Sequence, residues 1–180
     1  MIVLLGDLAA RSERATSAQT VAARAAAAGS RVEIVGIVPD DPDGDVRMLA
    51  LAAADVGHAA VLRGPARPLE AEDVELALRY LPEVRVIVVV DAPAAALRAA
   101  HEQAGWSGAA LIVVRGVSAA VPEVDDATLP EGAVVLEAPA SDPDGTFAGF
   151  VGAFAARLDE GATPSDAWAA TTRALAVDPA

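Results

Sequence analysis

Short runs of Val, Ile and Leu recur along the chain, and between them lie longer Ala-rich stretches whose apolar positions return every three or four residues. The first pattern suits a pleated strand and the second one buried helix face, so the chain reads as repeated βα units building a largely parallel sheet. The pattern predicts strands at 2–5, 32–38, 59–63, 84–90, 110–115 and 133–137, and helices at 16–28, 44–55, 71–81, 93–104, 146–159 and 164–176. Val84–Val90 and Leu111–Val114 lose alternation altogether, as strands do when both faces are covered, which places them centrally. Gly29 supplies a left-handed stop for the first helix, and Thr163-Pro164-Ser165-Asp166 has the hydroxyl, proline and acid of a helix start. Phe147, Phe150 and Phe154 form one helix stripe and read as core, Trp168 is expected to pack within the final helix pair, and Trp106 to anchor the turn after 93–104. Residues 116–131, with two prolines and separated acids, read as an irregular connection and as the place for any internal junction.

A length of 180 residues, 54% apolar and 22% charged, suits one globular domain spanning 1–180. The charge is lopsided. Thirteen basic against 26 acidic residues leave a net −13, which opposes approach to nucleic acid or an anionic membrane surface, so neither is expected as a partner. Every basic side chain is Arg, and Lys, Asn and Cys are absent, which removes Schiff-base lysine, thiolate, disulfide and Cys-zinc chemistry. Two widely separated His complete the argument against a structural metal site. The opening lacks the basic flank of a signal peptide and no apolar run approaches spanning length, so a cytoplasmic location is expected.

One tetrapeptide, Asp-Pro-Asp-Gly, appears at 41–44 and again at 142–145, each time just before an expected helix. Its plain reading is a turn: Pro fixes φ, Asp bonds its own backbone and Gly takes the positive φ that closes it. Asp41, Asp43 and Asp45 alternate as calcium ligands would, but the glycine comes too early for a calcium loop, and no metal is expected.

With their surroundings the two copies say more. The stretch Gly29–Asp45, a helix end, a strand and then Pro-Asp-Asp-Pro-Asp-Gly, resembles a characteristic segment of the ribokinase-like, or PfkB, carbohydrate kinase family. The second copy continues Thr146-Phe147-Ala148-Gly149 and then Gly152-Ala153-Phe154-Ala155, resembling the family's glycine-rich loop at the start of a long helix. Gly6-Asp7 closing the first strand fits as well. The resemblance implies a three-layer αβα sandwich with a mostly parallel sheet, a ribokinase-like core without its lid. It also implies Asp7, Gln19 and Asp41 on the substrate side and Gly145, Thr146 and Gly149 around the transferring phosphoryl group.

The departures bear on activity. In the family the loop's Asp is the base and its backbone N–H groups form an anion hole; here Gly145 holds the base position, Pro143 has no N–H, and Asp142 and Asp144 add negative charge. The family's Gly-Gly before the first helix is Ala15-Thr16, and its following Asn is replaced by Gln19 or Thr20. The magnesium-associated Asn-x-x-Glu and the Thr-x-Gly nucleotide segment have no counterpart, and the chain is short between about 64 and 133, where the lid and the nucleotide-binding half would lie. Phosphoryl transfer rests on positioning and electrostatics, so these losses together lead to the expectation of a homologue without phosphotransferase activity. Such a chain is expected to bind a small polar molecule or a protein partner, a second copy of itself among the candidates as a homodimer, and to need no cofactor. The alternative is an active sugar or nucleoside kinase using ATP and magnesium, with Asp144 or Asp142 as a displaced base.

Overall fold

The computed structural model describes residues 1–8, 17–116 and 131–177. Ala15-Thr16 and most of the 116–131 connection lie outside them. Six strands, β1 Ile2–Gly6, β2 Val32–Val38, β3 Gly57–Arg63, β4 Val86–Val90, β5 Ala110–Arg115 and β6 Val134–Glu137, form one sheet in the order β3-β2-β1-β4-β5-β6. Every neighbouring pair is parallel. The helices are α1 Ala18–Ala27, α2 Pro42–Ala53, α3 Ala71–Tyr80, α4 Ala94–Ser107, α5 Thr146–Asp159 and α6 Pro164–Val177.

Strand alternation sorts the core into two layers. Ile2, Leu4, Ile34, Val88 and Ile112 face α1 and α5, whereas Val3, Leu5, Val35, Ile87 and Val113 face α3 and α4. With both faces covered, β1 and β4 are buried along their whole length, which is why their sequences carry no polar alternation. The result is the expected three-layer αβα sandwich. Phe154 is fully buried, Phe150 half-buried, and Trp168 packs edge-on against both rings, joining α6 to α5.

Two local expectations are corrected. The first Asp-Pro-Asp-Gly is a helix start and not a turn closed by a left-handed glycine. Asp41 is the cap, its carboxylate accepting from Gly44 N at 2.9 Å, and Pro42 opens α2, two residues before the expected start. Gly44 therefore sits inside the helix, where a Cβ would overlap the Pro39 carbonyl. Similarly, α4 continues through Gly105 to a left-handed stop at Gly108 (φ 69°), so Trp106 belongs to its last turn and is 88% exposed instead of anchoring a turn.

Candidate functional site

In a parallel sheet the loops after the strands share one edge, and the strand order decides where they part. The chain leaves β1 toward α1 on one face and leaves β4 toward α4 on the other, so a crevice opens between these two neighbours. A cleft of about 250 Å³ lies there, lined by Gly6, Asp7, Arg67, Leu69, Asp91 and Pro93 among others. Gly6 is required by close approach: a Cβ would stand 2.5 Å from that of Ala18 and 3.2 Å from the Val90 carbonyl oxygen, pushing α1 off the sheet.

The cleft carries two carboxylates and a guanidinium. Asp7 is exposed at the end of β1, and Asp91 follows β4 with φ at 43°, a left-handed backbone that Asp tolerates better than most residues. Its N–H is held by the Val114 carbonyl at 3.0 Å. Arg67 is fixed by a two-pronged pair with Asp73, at 2.6 and 2.9 Å. That hydrogen bonding lowers the Asp73 carboxyl below its ordinary range, helped by the Glu70 N–H and opposed by burial, and it raises the Arg67 guanidinium. Asp73 in turn accepts from Glu70 N at 3.0 Å at the start of α3, so the guanidinium is tied to a helix end and not to a mobile loop.

The second place of interest is the entry to α5. Here the second Asp-Pro-Asp-Gly does form the expected turn: Gly145 takes φ 67° and donates its N–H to the Asp142 carbonyl at 3.1 Å. The turn folds the Asp142 side chain back over the helix. Its Oδ1 accepts from Phe147 N at 3.0 Å and its Oδ2 from Ala148 N at 2.9 Å, and the residue is only 5% exposed. Two of the N–H groups of this helix start, those of Phe147 and Ala148, are thus already bonded to a carboxylate of the same chain. A nucleotide's terminal phosphate does not fit this arrangement, because it would have to displace a buried anion.

The remaining sequence-predicted site residues are spread out. Thr146 is exposed at the first position of α5, and Gly149 lies one turn further on with open space where a Cβ would be. Asp144 is exposed in the turn before Gly145. Gln19 is half-buried in the first turn of α1, and Asp41 is engaged as the α2 cap. Of these, only Asp7 lines the switch-point cleft. Arg67 and Asp91 went unnoticed in the sequence, although Val90-Asp91 repeats the strand-then-Asp signature of Gly6-Asp7. Among the described residues no three His, Asp or Glu gather as metal ligands, and no helix is long and apolar enough to cross a membrane.

No family model matches the chain, and no curated protein matches its sequence. Solved structures do. Adenosine kinase from Sinorhizobium meliloti superimposes with a TM-score of 0.65 at 14% identity, covering 92% of this chain and 89% of that one. A PfkB protein from Polaromonas sp. JS666 gives 0.64 at 14%, covering 94% and 92%. An E. coli protein assigned as a ribokinase II, in complex with ATP and magnesium, gives 0.60 at 13%, covering 94% and 89%. The fold is therefore that of the ribokinase-like kinases, and at this identity the likeness is one of fold.

Proposed function

We propose that this chain is a ribokinase-fold binding module that holds a small, hydroxyl-bearing polar molecule in the switch-point cleft and has no phosphotransferase activity. The observation that carries the reading is Asp142, whose carboxylate fills the helix start where an anion hole would need open donors. The cleft supports the ligand class. Asp7 and Asp91 offer oxygen acceptors for hydroxyl groups and the oriented Arg67 offers donors, a mix that suits a neutral polyol better than an anion. The fold neighbours are named for work on molecules of this kind, adenosine among them. An active sugar or nucleoside kinase with Asp144 as displaced base is the second reading, favoured by the exposed position of Asp144 beside Gly145 and by the neighbour that holds ATP and magnesium.

Calorimetry and thermal shift on the purified chain separate the two. A panel of sugars and nucleosides should include one that raises Tm saturably, and Asp7→Ala should abolish that rise; magnesium-ATP at millimolar concentration should leave Tm unchanged. ATP-dependent phosphorylation of any member of the panel would establish the second reading and end the first.

A further inference from the structure

Strand β3 is the outer edge of the sheet, seven residues long, and the side of the molecule around it is unusually apolar. On one face α2 turns Val46, Leu49, Ala50 and Ala53 outward, spaced i, i+3, i+4, i+7, with Val46 and Leu49 65% and 69% exposed. On the other, α3 presents Leu76, Ala77 and Tyr80, which with Leu62 of β3 line a groove of about 290 Å³. A helix stripe with this spacing is normally what faces a core. Here two apolar stripes flank an open strand edge, and their large members Val46, Leu49, Leu76 and Tyr80 are exposed. Five of the eight large apolar side chains exposed among the described residues lie on this one side.

We infer that this side is an interface between two copies of the chain, joined about a two-fold axis with β3 pairing antiparallel to β3 of the second copy. Three features select a second copy as the occupant. An edge strand is self-complementary, and β3 (Gly-His-Ala-Ala-Val-Leu-Arg) carries no Pro and places its one charged side chain, Arg63, at its very end. The same rotation brings α2 against its equivalent and α3 against its equivalent, so every apolar stripe meets an apolar stripe. The five exposed side chains group into a single patch of the order that on a monomer reaches about 300–600 Å² and marks an interaction site, and two such patches together with the paired edge approach the ~1,200 Å² at which specific interfaces begin.

The charges on α3 agree. Glu72 and Glu75 are exposed in its first half and Arg79 in its second, so antiparallel packing sets Arg79 of one copy toward Glu72 of the other.

Sedimentation velocity at physiological salt over a wide concentration range is the direct test, and a concentration-dependent dimer is expected. The double variant Leu49→Glu/Tyr80→Glu changes only exposed positions and should weaken association at least about tenfold while leaving the far-ultraviolet spectrum intact. Trp106→Glu, at a still more exposed position but on α4, should leave it unchanged. Hydrogen exchange gives an independent readout: amides of 58–62 should gain protection as concentration rises. A monomer throughout, or a dimer that Trp106→Glu breaks and the edge variant does not, would overturn the inference.

Discussion

Replacing Asp142 by Ala removes both acceptors at the start of α5 and leaves Phe147 N and Ala148 N facing a nearly buried gap. Loss of an N-cap acceptor costs about 0.5–2 kcal/mol, and a hydrogen bond to a charged group contributes about 1.5–3 kcal/mol. The favourable placement of a negative charge at a helix N-terminus adds about 0.3–1 kcal/mol. These values describe overlapping parts of one interaction, so they do not sum. A loss of about 2–3 kcal/mol is expected, equivalent to roughly 4–12 °C in Tm for a domain of this size. Asp142→Asn keeps one acceptor and should lose about half as much. Urea unfolding followed by circular dichroism and by Trp fluorescence measures both. A second arm examines the emptied donors. Inorganic phosphate at tens of millimolar should restore part of the lost stability in the Ala variant through those N–H groups and do nothing specific for the wild type. An Ala variant within about 0.5 kcal/mol of wild type, the range of an ordinary surface substitution, would refute the account. So would a wild type that phosphate stabilises as strongly.

Two glycines of α5 should respond in opposite senses to the same change. A Cβ at Gly152 would lie 2.7 Å from Ala25 N and 2.8 Å from the Arg24 carbonyl carbon, so Gly152→Ala should drive α1 and α5 apart and destabilise by about 1–3 kcal/mol. At Gly149 nothing lies in the way, and Gly149→Ala should stabilise by up to about 1 kcal/mol through helix propensity alone; equal signs in thermal melts would refute the packing argument. For pH, the Arg67 hydrogen bonds hold Asp73 below its ordinary value, so its contribution is complete above the unfolded carboxyl's pKa of about 4 and is lost as pH falls through the lower folded value. Stability measured against pH should therefore fall less steeply below about pH 4 in Asp73→Asn than in wild type, and parallel curves would show that the pair is not coupled to folding.

The layered fold was legible because strand and helix leave different periods, and here the periods are clean: β4 is unbroken Val and Ile, and the helices carry small apolar residues on one face. What failed did so for identifiable reasons. The helix expected over 93–104 runs on to Gly108, the residue that takes the left-handed conformation, so Trp106 falls inside its last turn and not beyond it. Strand order is not written in any local pattern. Without it, nothing connects Asp91 and Arg67 to Asp7, because Asp91 becomes its neighbour only when β4 is placed beside β1, and Arg67 comes in from the connection between β3 and α3. The two Asp-Pro-Asp-Gly copies make the same point at smaller scale. Identical letters start a helix at the second residue in one place and close a turn before a helix in the other. The difference shows in the caps: Asp41 accepts from Gly44 N, three residues on, whereas Asp142 reaches past a left-handed Gly145 to Phe147 N and Ala148 N.

On the reading proposed above, the carboxylate on the α5 start is an occupant that the chain carries for itself. A diffusing phosphate must compete with a group on a five-residue leash, whose local concentration is set by the tether and not by the cell. Free phosphate gains ground only as its own concentration approaches that tethered value. Converting this helix end into a receptor for an anion would therefore begin with cutting the occupant loose, and only afterwards with adding groups to grip the newcomer.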